Sequence, residues 1–125
     1  MQNNPVVWFE IYVNDMPRAK KFYEAVLGVA LQKLDSPVGE IEMWSFPMQQ
    51  NGGGAAGALA KMPGAPAGGG GTIVYFRSED CAVEATRVAG NGGKVIKDKL
   101  SIGQYGFIAL ASDPDGNIFG IHSMK

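Results

Sequence analysis

The stretch "FEIYVNDMPRAKKFYEAVLG", residues 9–28, places a strand directly before a helix. The strand, taken as 6–13, is dense in β-branched and aromatic residues. Asn14 or Asp15 can cap the helix, Pro17 suits its first turn, and Gly28 suits the position just past its end. Apolar residues at helical spacing between them predict a helix with one apolar face.

The same pattern returns in the second half of the chain. A strand at 72–76 precedes a capped helix, and the acid-to-glycine distance is 13 residues both from Asp15 to Gly28 and from Asp80 to Gly93. Three extended segments follow each helix, near 29–34, 40–48 and 57–63, and then at 94–100, 106–111 and 117–123. A repeat with an offset of about 65 residues predicts two modules, each unable to bury its sheet alone. Chance similarity of two strand–helix units is the alternative.

The predicted fold class is α+β, built from two βαβββ modules. We expect one domain over residues 1–125, with module one at about 5–63 and module two at 72–125. Between them lies "GAPAGGGG", residues 64–71, a glycine-rich linker without core-forming side chains.

Composition limits the possible partners and location. The net charge is −1 without a run of basic residues, so nucleic acid and membrane surfaces are not expected partners. No apolar stretch reaches the length of a membrane span, and "MQNNPVVWFE" lacks a signal-peptide pattern, which predicts a cytoplasmic protein. Cys81 is the single cysteine, which rules out a disulfide framework and a thiolate zinc site within one chain.

Three segments together resemble the vicinal oxygen chelate superfamily of glyoxalase I, extradiol dioxygenases and bleomycin-resistance proteins. They are residues 9–28, "GGKVI" at 92–96 and "DPDGNIFGI" at 113–121, so the resemblance covers essentially the whole chain. It implies that the two modules form a cup-shaped mixed sheet with the helices outside, and that the protein is a homodimer. Enzymes of this superfamily hold a divalent metal with four side chains from the first and last strands of the modules.

The four matching positions in this chain are Trp8, Ala58, Thr72 or Ile73, and Gly120. Alanine and glycine have no side-chain atom that can bind a metal, the indole nitrogen carries a hydrogen and offers no lone pair, and a lone threonine hydroxyl binds a metal only weakly. A shift by one residue does not restore the site, because strand side chains alternate between faces. The sequence therefore predicts no metal and no other cofactor, and argues against glyoxalase I or ring-cleaving dioxygenase activity of the superfamily type.

Alternation predicts which side chains face the cup. Trp8, Glu10 and Tyr12 share one side of the first strand, while Phe9, Ile11 and Val13 face its helix. Ile118, Gly120 and His122 share one side of the last strand. The predicted ligand-binding set is Trp8, Glu10, Trp44, Thr72, Phe76, Tyr105, Phe107, Gly120 and His122.

Glu10 and His122 are the candidate acid/base pair or polar anchors of that set. Two alternatives stay open: His122 near the chain end is only a solvated side chain, and the tryptophans only fill core.

Three functions follow from these features. The first is a metal-free cup that binds a small organic molecule, as bleomycin-resistance proteins do. The second is a glyoxalase-like lyase or isomerase with a displaced site that uses Glu10 and His122. The third is a structural dimer whose cup is filled by its own side chains.

Overall fold

The computed structural model describes residues 4–36, 39–65 and 67–125, so Pro66 of the predicted linker lies outside the described residues. The chain divides into an N-terminal unit, Trp8–Thr72, and a C-terminal unit, which is Ile73–Lys125 with the residues before Trp8. The strands are β1 (Val6–Tyr12), β2 (Gln32–Leu34), β3 (Glu42–Ser45), β4 (Ala56–Lys61), β5 (Thr72–Arg77), β6 (Lys94–Ser101), β7 (Phe107–Ser112) and β8 (Ile118–Ser123). The helices are α1 (Met16–Leu27) and α2 (Cys81–Val88).

Both units have the same mixed topology. In the N-terminal unit the strands lie in the order β2-β3-β4-β1, with β1 parallel to β4 and the other neighbours antiparallel. In the C-terminal unit the order is β6-β7-β8-β5, with β5 parallel to β8 and the other neighbours antiparallel. The α+β class and the βαβββ order predicted from the sequence are confirmed.

The helix caps explain why the two helices begin where they do. The side chain of Asp15 accepts a hydrogen bond from the Arg18 N–H, and that of Asp80 accepts one from the Ala82 N–H. Gly28 ends α1 in the left-handed conformation at φ 66°. In the second module a 3₁₀ turn at Ala89–Asn91 extends α2, so the left-handed residue is Gly92 rather than the predicted Gly93.

Each helix covers one face of its own sheet. Leu59 of β4 and Ile11 of β1 pack with Met16 and Leu31 under α1. In the C-terminal unit, Cys81 and Ala85 of α2 pack with Ala109 and Ile121. Ile11 and Val13 lie in the α1 core and Phe9 contacts Phe46, as alternation along β1 predicted. We call these the helix faces and the other side of each sheet the open face.

Candidate functional site

Glu10 is the central polar residue on the open face of the N-terminal unit. Its side chain is 9% exposed, and it lies at the middle of β1 opposite Ala58. Trp8 Nε1 donates to Glu10 Oε2 at 3.1 Å, and the Tyr12 hydroxyl donates to Glu10 Oε1 at 3.0 Å. Because residues two apart on a strand share a face, a single strand places this carboxylate between an indole and a phenol.

The surroundings of Tyr12 keep its phenol protonated. Burial, followed by the negative charge of Glu10 and the hydrogen bond to it, raises the pKa of Tyr12 far above its ordinary value. The hydroxyl therefore stays a hydrogen-bond donor to Glu10 at physiological pH. The group has one fixed carboxylate and two aromatic donors, an arrangement that suits a ligand carrying a positive charge or N–H donors.

His122 lies on the open face of the C-terminal unit, opposite Ile108 on β7. Its Nε2 lies 2.6 Å from the Tyr105 carbonyl oxygen. Since a carbonyl oxygen only accepts, Nε2 carries the hydrogen, and Nδ1 is the acceptor of the neutral ring. Glu10 and His122 belong to different units, so the acid/base pair stays a prediction.

Gly120 lies under an aromatic ring. It pairs with Tyr75 of β5, and a Cβ built on Gly120 would lie within 3.0 Å of three atoms of the Tyr75 ring. Tyr75 is only 5% exposed, so the ring has little room to move away. The absence of a side chain at Gly120 is thus what admits Tyr75 to the open face.

Three predicted members of the aromatic wall lie on helix faces instead. Trp44 pairs with Leu59 and packs in the α1 core, with Lys20 Nζ 3.6 Å from its ring centroid. Phe76 pairs with Ile121, and Phe107 packs against the α2 core. The prediction that these three rings lie beside Glu10 and His122 is wrong, because strand pairing and packing place them on the same sheet faces as the core residues under the helices.

The remaining predicted residues have mixed positions. Tyr105 is 41% exposed in a 3₁₀ turn, and it meets His122 through its backbone carbonyl. Alternation along β5 puts Ile73 on the side of Tyr75 and Thr72 on the side of Phe76, so Ile73 is the equivalent of Trp8. Thr72 is exposed and lines a cleft of about 360 Å³ with Tyr12, Arg18 and Tyr23.

Sequence reasoning missed Tyr75 and left Tyr12 out of the binding set. The signal for Tyr12 was present, since alternation places it beside Glu10. The signal for Tyr75 was the repeat itself, because an offset of 65 residues makes Tyr75 the counterpart of Glu10.

The turn at Asp113 explains why its acidic residues need no catalytic role. Its side chain accepts from the N–H groups of Asp115 and Asn117 and from the Asn117 amide. These hydrogen bonds, with the Asn117 amide contributing most, hold the pKa of Asp113 below its ordinary value. The carboxylate is therefore committed to the turn that starts β8.

The model of the Glyoxalase/Bleomycin resistance protein/Dioxygenase superfamily matches residues 6–121. The chain belongs to this superfamily. It is 29% identical over 122 residues to the protein named "Putative glyoxylase CFP32" of Mycobacterium bovis and to its namesake in Mycobacterium tuberculosis. The match covers 96% of this chain but 44% of those relatives, so the chain spans less than half of their length.

Solved structures of methylmalonyl-CoA epimerases share the superfamily fold. The enzyme of Mycobacterium tuberculosis is 14% identical with a TM-score of 0.68, covering 97% of this chain and 88% of its own. The enzyme of Streptomyces coelicolor is 18% identical with a TM-score of 0.66, covering 95% and 96%. At these identities the likeness shows the fold alone.

The metal implied by the superfamily does not fit the side chains at the four matching positions. Gly120 lies against the Tyr75 ring, Ala58 is fully buried, and the Trp8 indole donates to Glu10. Ile73 has no donor atom. Across residues 4–36, 39–65 and 67–125, no group of three or more His, Cys, Asp or Glu side chains is placed to hold a metal ion.

In the same ranges, neither helix has the length and apolar character needed to cross a membrane.

Proposed function

We propose that this superfamily member binds a small organic molecule without a metal, and that the ligand presents a cationic or N–H-donating group to Glu10. The observation that carries the proposal is the buried Glu10 carboxylate between the Trp8 indole and the Tyr12 phenol. Fewer aromatic side chains line the proposed site than the sequence predicted, because Trp44, Phe76 and Phe107 pack under helices.

The chemistry of the Glu10 group favours an aromatic or alkyl amine. A carboxylate in a partly desolvated setting attracts a cation more strongly than one in water. The faces of Trp and Tyr rings add attraction for the same charge when it lies over them. A neutral ligand of the same shape would gain only the apolar contact.

A thermal-shift comparison of matched probes tests the proposal. Phenethylamine and benzyltrimethylammonium are compared with neutral 2-phenylethanol, first on the wild-type protein. At 100 times its Kd a ligand stabilises by about 2.7 kcal/mol. For 125 residues, at about 2.1 cal/mol/K of unfolding entropy per residue, this raises Tm by about 10 °C.

Glu10→Gln keeps the size of the side chain and removes its charge, and we expect it to abolish the shift from the cations. Glu42→Gln is the matched control, because Glu42 also accepts from an indole, that of Trp44 at 3.0 Å, but on the helix face. The proposal fails if neither cation raises Tm, or if the Glu10 variant responds as the wild type does.

A second candidate is a lyase or isomerase in which Glu10 moves a proton. It is supported by the name of the 29% identical mycobacterial relatives and by the fixed position of the Glu10 carboxylate. General acid–base catalysis contributes about 10²–10⁴-fold. Turnover of the hemithioacetal of methylglyoxal and glutathione should therefore fall at least 100-fold in Glu10→Gln and less in His122→Gln. Equal turnover in wild type and Glu10→Gln would refute this role.

We further propose a cytoplasmic homodimer. Phe22 and Val26, one turn apart on α1, are 58% and 63% exposed and form an apolar surface that a second chain would cover. The free, buried thiol of Cys81 suits a reducing compartment. Light scattering should give twice the chain mass for the wild type and one chain mass for Phe22→Asp; a monomeric wild type contradicts the proposal. Cell fractionation tests the location.

A further inference from the structure

The C-terminal unit contains a groove of about 300 Å³ between α2 and the helix face of its sheet. Its apolar lining consists of Phe76, Val88, Phe119 and Ile121. The rings of Phe76 and Phe119 meet at a centroid distance of 5.9 Å and an angle of 68°. The groove is at the lower end of the size range of small-molecule sites, and a flat apolar group fits such a lining.

Two arginines lie at the sides of the groove. Arg77 ends β5, and Arg87 lies in the last turn of α2; both are exposed. Neither guanidinium has a hydrogen-bond or ion-pair partner among residues 4–36, 39–65 and 67–125. The one acid of the lining, Glu84, accepts from the Ser78 hydroxyl at 2.5 Å. The groove therefore has an excess of positive charge beside an apolar surface.

The other module shows why the groove is open. In the N-terminal unit the rings of Phe9, Tyr23 and Phe46 pack together, with the Phe46 centroid 5.6 Å from that of Phe9 and 5.7 Å from that of Tyr23. By the repeat and the strand register, their counterparts in the C-terminal unit are the smaller Val74, Val88 and Ala111. These three positions thus carry no ring in the second module, where the rings are those of Phe76 and Phe119, at the positions of Ile11 and Gly57.

The two arginines are also specific to the second module. At an offset of 65 residues, Arg77 corresponds to Tyr12 and Arg87 to Phe22. The module with the smaller residues at those three positions is therefore also the one with the two arginines.

We propose that this groove binds a small carboxylate with an aromatic or short apolar body. The carboxylate lies between the guanidiniums of Arg77 and Arg87, which recognise it in planar, bidentate geometry. The apolar body lies against Phe76 and Phe119. The apolar lining of this site is on the helix face, and Arg77 ends β5 at its edge, opposite His122. The site prefers an anion and lies in the C-terminal unit, so it is separate from the cation-preferring group at Glu10.

The test uses 2-naphthoate as the probe and 2-naphthalenemethanol as its uncharged counterpart, with titration calorimetry and amide chemical shifts as readouts. We expect 2-naphthoate to bind the wild type at least 10-fold more tightly than the alcohol and to shift amides of α2 and β8. The double variant Arg77→Gln/Arg87→Gln should bind at least 10-fold more weakly. Lys97→Gln, which removes an exposed cation of β6 outside the groove, should bind within twofold of the wild type.

Affinity should also fall as salt rises, because the arginines are exposed to solvent. Glu10→Gln should leave 2-naphthoate binding unchanged, which separates this result from that of the proposed function. Equal affinities of acid and alcohol, unchanged binding by the double variant, or shifts confined to the N-terminal unit would each overturn the proposal.

Discussion

Replacing Gly120 with alanine tests the arrangement of Gly120 and Tyr75. The added Cβ would lie within 3.0 Å of three atoms of a ring that is 5% exposed. Overpacking of a core costs about 1–3 kcal/mol, and the upper end applies where the ring cannot leave. Loss of glycine's freedom in the unfolded chain offsets about 0.4–1 kcal/mol. The net cost is about 2 kcal/mol, which at about 0.26 kcal/mol/K lowers Tm by about 8 °C.

Chemical denaturation and calorimetry measure this cost, and a double-mutant cycle assigns it. In a Tyr75→Ala background the ring is gone, so adding Gly120→Ala should cost nothing or stabilise slightly. Gly90→Ala is the control, because a Cβ there meets no atom within 4 Å and we expect a gain of about 0.4–1 kcal/mol. If Gly120→Ala costs the same with and without the Tyr75 ring, the steric explanation is wrong.

Three further predictions concern single residues. The pKa of Tyr12 is raised in the folded state, so above pH 10.0, its unfolded pKa, the folded protein still holds a proton that the unfolded chain has released. The free energy of unfolding should therefore fall by up to about 1.4 kcal/mol per pH unit above pH 10.0. Tyr12→Phe should remove this part of the pH dependence in alkaline denaturation. Asp15→Ala removes the N-cap of α1 and should cost about 1 kcal/mol in urea denaturation, whereas Asp15→Asn should cost little. The fully buried thiol of Cys81 should react with a disulfide reagent only as fast as the protein opens, and rapid reaction under native conditions would contradict its burial.

The sequence predicted the elements well because their ends carry specific chemistry. Aspartates at both N-caps and a left-handed glycine after each helix fix the helix positions without tertiary information. On β1 a polar residue at the middle of an alternating pattern identified the open face correctly, so Trp8 and Glu10 lie together as predicted.

The faces of β3, β5 and β7 could not be read in the same way. "TIVYF" at 72–76 is apolar on both sides, so alternation does not distinguish Tyr75 from Phe76. On β3, Glu42 and Trp44 lie two residues apart and share the helix face, where the indole donates to Glu42. Only the pairing of Trp44 with Leu59 and of Phe76 with Ile121 settles these positions, and pairing partners are distant in sequence.

The two modules keep one topology but exchange large and small residues at equivalent points. On the helix face of the first module Phe46 is next to Gly57, since the Phe46 N–H donates to the Gly57 carbonyl oxygen; in the second module Ala111 pairs with Phe119. On the open face, Glu10 opposite Ala58 corresponds to Tyr75 opposite Gly120. A glycine lies beneath an aromatic ring in both modules, Gly57 under Phe9 and Gly120 under Tyr75, but on opposite faces of the two sheets. At these points one module has a large residue where the other has a small one, so the first module has a carboxylate on its open face and the second has two arginines beside a groove lined by its helix face.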